Sequence, residues 1–241
     1  MEYEPKKYRY SSCHTNKRLN DITKIEYLLQ HFDSLQGTAM LSFPTHMWEL
    51  ESKLRDNTKL NVFVGLEKSE EEYLAMCENR KEWQIPINIK DKDYFEMHRF
   101  QQCQHSFGYI ELDWMGPWCQ QKKDALIKLA KSTIIKKGGS IILSINLMGS
   151  RECRSAKEDL FSCALKTLPD HAKSVTVSGT LSRKMDSYYG WSLRVHGVYK
   201  QIYDIFDPNF FKIEHLITDY YKDTVPFYHS MFKITKLHNM V

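Results

Sequence analysis

The residues best suited to chemistry in this chain meet at the end of one hydrophobic segment. Residues 107–118 read FGYIELDWMGPW, a β-branched and aromatic run that leads into Asp113, Trp114, Pro117 and Trp118. A carboxylate can align an amine or a hydroxyl, and an indole can stack on a planar group. The simpler alternative is a tight turn whose tryptophans only fill a core. We favour a functional loop, because burying an aspartate without a partner is costly.

Acids also follow the three predicted strands that precede this segment. Glu49 and Glu51 come after the first, Glu67 ends the second, and Asp91 and Asp93 follow the third. A carboxylate at the end of a second strand can accept hydrogen bonds from both hydroxyls of a ribose, and one after the third can accept from an adenine amine. Each acid alone could be a solvated turn residue. Their joint order favours a nucleoside-like ligand.

Alternating strands and helices must position these side chains. Short β-branched or apolar runs predict strands over residues 38–43, 61–66, 85–89, 107–112 and 140–147. Apolar residues at spacings of three and four predict helices over residues 21–32, 47–55, 69–79 and 120–137. Such alternation implies right-handed crossovers and a mostly parallel sheet with helices on both faces.

The C-terminal third follows a different pattern. Helices are predicted over residues 157–168 and 191–206, and residues 175–181 could be a short strand or an ordered loop. Residues 211–221 and 227–237 form two extended runs around a turn-like linker, as in an antiparallel pair. The predicted fold class is therefore α/β, a Rossmann-like doubly wound, mostly parallel sheet with a C-terminal antiparallel strand pair.

Composition supports one globular domain. The 241 residues are 42% hydrophobic and 13% aromatic, and their net charge of +4 permits an anionic partner without requiring one. We expect a basic, solvated tail over residues 1–20 and a single domain over residues 21–241. The six cysteines form no CxxC pair, and no apolar run reaches the ~18–20 residues of a membrane span. A reducing, cytoplasmic setting without a membrane partner is expected.

Several other chemistries lack their motifs. The sequence has no G-x-S-x-G elbow, no phosphate-binding G-x-x-x-x-G-K-[ST] loop and no H-E-x-x-H metal spacing. His46 is the only histidine in a predicted site loop, and we interpret it as an ordinary neutral residue. Cys119 follows the aromatic loop and could act as a nucleophile, although a small buried residue at the start of a helix is the better interpretation. No metal is expected.

Four segments resemble the successive motifs of one enzyme family. FPTHMWELE, NVFVGLEKSEEEY, INIKDKDYF and YIELDWMGPW, within residues 38–147, resemble those of class I S-adenosylmethionine-dependent methyltransferases. The similarity is to a divergent branch whose fourth motif reads Leu-Asp-aromatic-x-Gly-Pro. It implies S-adenosylmethionine as cofactor and a methyl acceptor for which nucleic acid is favoured. It implies these roles: Phe43, Pro44 and Glu49 in the first motif, Glu67 at the ribose, Asp91 or Asp93 at the adenine, and residues 113–118 as the methyl-transfer loop.

The chain departs from this family in two loops. The family has a glycine-rich loop after its first strand, whereas residues 44–47 here contain no glycine. The fourth motif also differs from the Asp-Pro-Pro-Tyr type that grips an exocyclic amine. Two functions therefore stay open: a methyltransferase, which the ordered acids favour, and a non-catalytic Rossmann-like module that contacts nucleic acid or a protein, which the missing glycines favour.

Overall fold

A single seven-stranded sheet organises the molecule. The computed structural model describes residues 15–89, 105–114, 116–148, 160, 163, 188–222 and 226–238. The strands are β1 (Ala39–Ser42), β2 (Val62–Glu67), β3 (Gln84–Asn88), β4 (Phe107–Trp114), β5 (Ser140–Met148), β6 (Phe211–Lys222) and β7 (Pro226–Lys236). Their order is β3-β2-β1-β4-β5-β7-β6. Strands β1 to β5 pair in parallel, while β7 lies antiparallel between β5 and β6. The predicted fold class is confirmed.

Five helices flank the sheet in the part of the chain that the structure describes. They are α1 (Thr15–His31), α2 (Glu49–Asn57), α3 (Glu70–Asn79), α4 (Gln120–Lys131) and α5 (Tyr188–Ile205). Leu28, Leu54 and Met76, one from each of α1 to α3, are buried against Met40 and Tyr109 of the sheet. We call this side of the sheet the α1 face. None of these helices is long and apolar enough to cross a membrane.

The opposite side of the sheet, the α4 face, holds the larger core. Leu126 of α4 and Val198 of α5 are buried there with Ile110 and Leu112 of β4. Because successive strand residues point to opposite faces, from Tyr109 onward this core takes the even-numbered residues of β4 and the α1 face receives the odd-numbered ones, while Phe107, before the register shift, also packs in the α4-face core. Tyr109, Glu111 and Asp113 therefore lie on the α1 face.

Some element boundaries differ from the predicted ones. Helix α1 begins at Thr15, before the expected cap at residue 20 or 21. Helix α4 ends at Lys131 instead of residue 137, because the Ser132 hydroxyl donates to the Leu129 carbonyl oxygen and accepts from the Ile134 N–H. The apolar spacing within residues 69–79 predicts Tyr73, Leu74 and Cys77 on the inner face of this helix, yet Leu74 is 54% exposed, and Met76 is buried in its place.

The remaining local predictions follow the same physical rules. Ser69 caps α3 as expected, since its hydroxyl accepts a hydrogen bond from the Glu72 N–H at 3.4 Å. The β3 strand lies at one edge of the sheet, where Pro86 is tolerated. The predicted segment at residues 175–181 lies outside the described residues, as does nearly all of the helix at residues 157–168.

Candidate functional site

The strand register brings two of the predicted acids to one level of the sheet. Gly65 of β2 pairs with Ser42 of β1, and Ile110 of β4 pairs with Leu41. Counting on from these pairs, Glu67 and Asp113 both lie level with Pro44, on opposite sides of the exit of β1. Strands β2 and β4 are separated by two strand spacings, about 10 Å. The two carboxylates therefore flank the point where β1 enters its loop.

The loop after β1 makes its turn without a glycine of its own. Trp48 adopts the left-handed conformation, with φ 51° and ψ 40°, immediately before α2. Its indole is fully buried and donates to the Met76 carbonyl oxygen at 3.2 Å. A Cβ atom on Gly65 would lie 2.5 Å from both Pro44 Cγ and Trp48 Cη2. The glycine that this loop requires is therefore on the neighbouring strand β2.

The predicted first-motif residues lie around this turn with different exposures. Pro44 is buried over Gly65, and Phe43 is half-buried against the core of the α4 face. Glu49 is exposed in the first turn of α2, whose N-terminus receives no side-chain cap from Trp48. Uncapped N–H groups at a helix start favour a negatively charged or hydrogen-bond-accepting group.

Glu67 sits at the end of β2 in a defined conformation. One carboxylate oxygen, Oε1, accepts hydrogen bonds from the N–H groups of Lys68 and Ser69 at 2.6 and 2.7 Å. Its carbonyl oxygen accepts from the Ile89 N–H at 2.9 Å, just beyond β3. The side chain is half-buried and oriented by the loop before α3. Asp91 and Asp93, the other acids predicted on this side, lie outside the described residues.

Asp113 is held by the adjacent strand. It pairs in register with Asn146 of β5, whose Nδ2 donates to Asp113 Oδ1 at 2.7 Å. Asn146 is 5% exposed, whereas Asp113 is only partly buried. A buried amide donor on one oxygen fixes the direction of the carboxylate at the edge of the sheet.

The aromatic residues of the same loop are packed inward. Trp114 and Trp118 are each 4% exposed, and their ring centroids lie 6.5 Å apart. Trp118 Nε1 donates to Gln201 Oε1 at 2.8 Å, which ties the loop to α5. Lys122 Nζ donates to the carbonyl oxygens of Gly116 and Pro117 at 2.6 and 2.5 Å. Side chains of α4 and α5 therefore hold the loop in place.

A buried polar cluster lies under the site on the α1 face. Lys24 of α1 forms an ion pair with Glu111 at 2.8 Å, and the Tyr109 hydroxyl donates to the other oxygen of Glu111. Ser144 of β5 contacts His229 Nε2 at 2.7 Å. Burial opposes the charge of Glu111, but Lys24 and the hydrogen bonds outweigh it and lower its pKa to about 2. Burial lowers the pKa of His229 to about 3.

Glu51 was predicted as one of the acids that follow the first strand, in the first turn of a helix, but its side chain is buried in the interior. It is 2% exposed and accepts a hydrogen bond from the Ser42 hydroxyl at 2.8 Å. Burial raises its pKa to about 7 against the opposing effect of its hydrogen bonds, and the nearby Glu111 carboxylate raises it further. Glu51 therefore takes up a proton near neutral pH.

Replacing Glu51 with glutamine should remove a loss of stability at high pH. The unfolded side chain ionises near pH 4.5 and the folded one near pH 7, so the free energy of unfolding of the native protein falls across this window. The glutamine side chain stays neutral, and the Glu51→Gln variant should be about 1–3 kcal/mol more stable than the native protein at pH 8.

Urea unfolding at pH 5 and pH 8 measures this difference. At pH 5 the difference should fall below about 1 kcal/mol, because Glu51 is then protonated in the folded protein and only the ionisation of the unfolded chain remains. His229 titrates in both proteins and cancels from the comparison. A stability difference that is equal at the two pH values would show that Glu51 does not ionise within this window.

Sequence reasoning missed most of this cluster, although a signal was present. Tyr109, Glu111 and Asp113 alternate along a strand that is otherwise apolar, and Ser144 and Asn146 do the same on β5. A period of two places each set on one face of the sheet. Two adjacent strands with polar residues on the same face predict a buried polar cluster. No group of three or more potential metal ligands occurs among the described residues.

Comparison with known proteins gives similarity only at the level of structure. No protein-family model and no curated protein sequence matches this chain. Trm1 from Pyrococcus horikoshii in complex with S-adenosyl-L-methionine matches with a TM-score of 0.52 and 16% identity, over 91% of this chain and 56% of Trm1. The chain thus spans just over half the length of Trm1.

Two further solved structures are similar over most of their length. The plantazolicin methyltransferase BpumL, in complex with a pentazolic analogue and SAH, matches with a TM-score of 0.48 and 11% identity, over 93% of this chain and 86% of BpumL. The N-methyltransferase NodS from Bradyrhizobium japonicum WM9 matches with a TM-score of 0.44 and 10% identity, over 93% and 99%. The similarity to Trm1 at 16% identity shows the fold alone, and the activity has to be argued from the site.

Proposed function

We propose that this chain, which has the fold of the class I S-adenosylmethionine-dependent methyltransferases, binds S-adenosylmethionine and transfers its methyl group to an acceptor. The observation that carries this proposal is the pair of carboxylates, Glu67 and Asp113, at one level on either side of the β1 exit. Their strands are about 10 Å apart, so a nucleoside lying over the β1 exit could reach both carboxylates.

On this proposal, Glu67 binds the ribose. Its Oε1 is oriented by the N–H groups of Lys68 and Ser69, so the carboxylate is fixed before a ligand arrives. A carboxylate can accept from both vicinal hydroxyls of a ribose. The start of α2 beside Glu49, which Trp48 does not cap, would face the same ligand. Asp91 or Asp93 is proposed for the adenine.

Asp113 is proposed to align the acceptor. When bound, S-adenosylmethionine supplies an activated methyl group, so the protein has to orient the acceptor and exclude water. Asn146 occupies one oxygen of Asp113 and holds the carboxylate toward the sheet edge. The carboxylate would accept a hydrogen bond from an amine or hydroxyl of the acceptor and leave a lone pair for the methyl group. Trp114, Pro117 and Trp118 are proposed to shape this loop.

Replacing Glu67 with alanine should weaken binding of S-adenosylhomocysteine by about 1–3 kcal/mol, or roughly 5- to 150-fold in dissociation constant. The lost acceptor would leave ribose hydroxyls without a partner. Calorimetric titration of the two proteins measures the change. Because Glu67 also accepts from the loop before α3, thermal unfolding of the variant is recorded alongside.

Glu71→Ala is the matched control. Glu71 is an exposed acid in the first turn of α3, four residues from Glu67, and its removal changes the net charge equally. Its affinity for S-adenosylhomocysteine should stay within twofold of the native value. Unchanged affinity in a folded Glu67→Ala protein would remove Glu67 from the cofactor site.

The second candidate function is a non-catalytic Rossmann-like module that contacts nucleic acid or a protein. The specific observation in its favour is the first loop, where Pro44 and Trp48 pack onto Gly65 in place of a glycine-rich turn. A folded protein that binds a macromolecular partner but neither S-adenosylmethionine nor S-adenosylhomocysteine would support this alternative.

A further inference from the structure

Charge is distributed unequally between the two sides of the sheet. Residues 120–139, which form α4 and the turn after it, contain six lysines and one aspartate, a net charge of +5. The whole chain carries only +4. Residues 49–82, from α2 through α3, contain nine acidic and six basic side chains, a net charge of −3. The protein is therefore basic around α4 and acidic around α2 and α3.

Four lysines of the basic segment are exposed: Lys128, Lys131, Lys136 and Lys137. We call these four residues the lysine strip. Within the described part of the chain, none of them forms an ion pair. Lys128 and Lys131 are three residues apart and lie on the same side of the helix. Among the described residues, no acidic side chain neutralises their charges.

Lys136 and Lys137 of the lysine strip lie in a turn whose backbone is hydrogen-bonded to the rest of the protein. The Lys136 N–H donates to Gln36 Oε1 at 2.9 Å, and the Gly139 N–H donates back to the Lys136 carbonyl oxygen at 2.8 Å. Gly138, with φ 74°, donates to the Lys236 carbonyl oxygen at 2.7 Å. The backbone that carries Lys136 and Lys137 is therefore fixed against β7 and is not a loose loop.

The lysine strip is connected to the proposed methyl-transfer loop through the same helix. Lys122, in the first turn of α4, donates to the carbonyl oxygens of Gly116 and Pro117. From Gln120 to Lys128 the helix rises about 12 Å. Lys136 and Lys137 precede β5, whose Asn146 pairs with Asp113 about 20 Å farther along the strand. A polyanion bound to the lysine strip would therefore have to continue along α4 over that distance to reach the Asp113 edge of the sheet.

We propose that the lysine strip binds the phosphate backbone of a single-stranded nucleic acid whose base is presented to Asp113. Spaced lysine ammonium groups bind phosphates as point charges and read no sequence. A single strand is inferred because chemistry on a base requires the base to be out of the duplex stack. The presentation to Asp113 rests on the proposed methyltransferase function, whereas the phosphate contact does not.

The test is fluorescence anisotropy with a 5′-fluorescein-labelled 20-nucleotide oligouridine, titrated with the full chain between 50 and 300 mM salt. Four phosphate contacts to a single strand give a slope of log K against log salt of about −3. Lys128→Gln/Lys131→Gln should reduce the magnitude of this slope by about 1.4 and weaken binding roughly tenfold or more at 50 mM salt. An oligothymidine should bind within a few-fold of the oligouridine.

Lys59→Gln/Lys81→Gln is the matched control, because it removes the same charge from exposed lysines on the acidic side of the molecule. Its affinity for the oligouridine should stay within twofold of the native value. Equal losses in the two double variants, or binding that does not depend on salt, would overturn the proposal. Tighter binding of a duplex RNA would overturn the single-strand assignment, and equally tight binding of labelled polyglutamate would replace nucleic acid with an acidic protein.

Cofactor binding separates this proposal from the proposed function. The lysine variants should bind S-adenosylhomocysteine as the native protein does, since the strip is remote from Glu67. If the chain binds oligouridine but no cofactor, the nucleic-acid proposal stands and the methyltransferase proposal fails. If it binds cofactor but not oligouridine, only the nucleic-acid proposal fails.

Discussion

Replacing Asp113 with asparagine should lower methyl transfer by about 10²–10⁴-fold while the affinity for S-adenosylhomocysteine stays within twofold. The asparagine side chain has nearly the same volume, and its amide oxygen can still accept from Asn146 Nδ2, so the local packing is kept. Only the negative charge that would align an amine or hydroxyl is lost. The large effect on turnover and the small effect on cofactor affinity follow from this separation.

Transfer of tritiated methyl groups from S-adenosylmethionine to unmodified transcribed RNA, denatured DNA and protein pools measures the effect. Asp124→Asn is the control, because Asp124 is an exposed acid on α4 that accepts only a surface hydrogen bond from Gln120 among the described residues. Native-like transfer by the Asp113 variant would assign acceptor alignment to another residue.

Replacing Lys24 with alanine should destabilise the fold by about 3–5 kcal/mol. Lys24 and Glu111 are buried together, with side chains 7% and 3% exposed, and Lys24 is the cation nearest to the Glu111 carboxylate. Although burial alone would lower the pKa of Lys24, the Glu111 charge outweighs it and raises that pKa. Without Lys24, the free energy of the folded state rises because Glu111 remains buried without its ion-pair partner.

Urea unfolding at pH 7 measures this loss, and Lys59→Ala provides the surface comparison. Lys59 and Asp33 form an ion pair whose side chains are 67% and 89% exposed, so its removal should change stability little. The double variant Lys24→Met/Glu111→Leu should recover part of the loss by replacing the pair with apolar side chains. A destabilisation below about 1 kcal/mol in Lys24→Ala would mean that the pair is solvated in solution.

The fold could be predicted from the sequence because each strand and helix carried its own periodic signal. Residues 38–43 and 140–147 are apolar and short, as buried parallel strands are, and the paired runs after residue 211 indicated the antiparallel strands. The end of α4 could not be found in this way, because Ser132 ends it through side-chain hydrogen bonds while Ile134 and Ile135 continue the apolar pattern.

The candidate site could be predicted from the sequence only in part. Acids at strand ends are visible in a sequence, but their common level depends on strand register, which pairs residues far apart in the chain. The partner of Asp113, Asn146, is 33 residues away. The sequence also did not show that the first loop requires a glycine at position 65. That requirement arises because Pro44 and Trp48 pack directly over Gly65. Contacts between elements, and not local propensity, decide these features.

Calorimetric titration of the purified, cofactor-stripped protein with S-adenosylmethionine and with S-adenosylhomocysteine tests the central claim most directly. We expect one site per chain and micromolar dissociation constants for both ligands, since Glu67, the proposed ribose acid, and the start of α2, which Trp48 does not cap, face the same edge of the sheet. The absence of binding at millimolar ligand, from a protein shown to be folded, would contradict the claim and leave the binding module as the function to pursue.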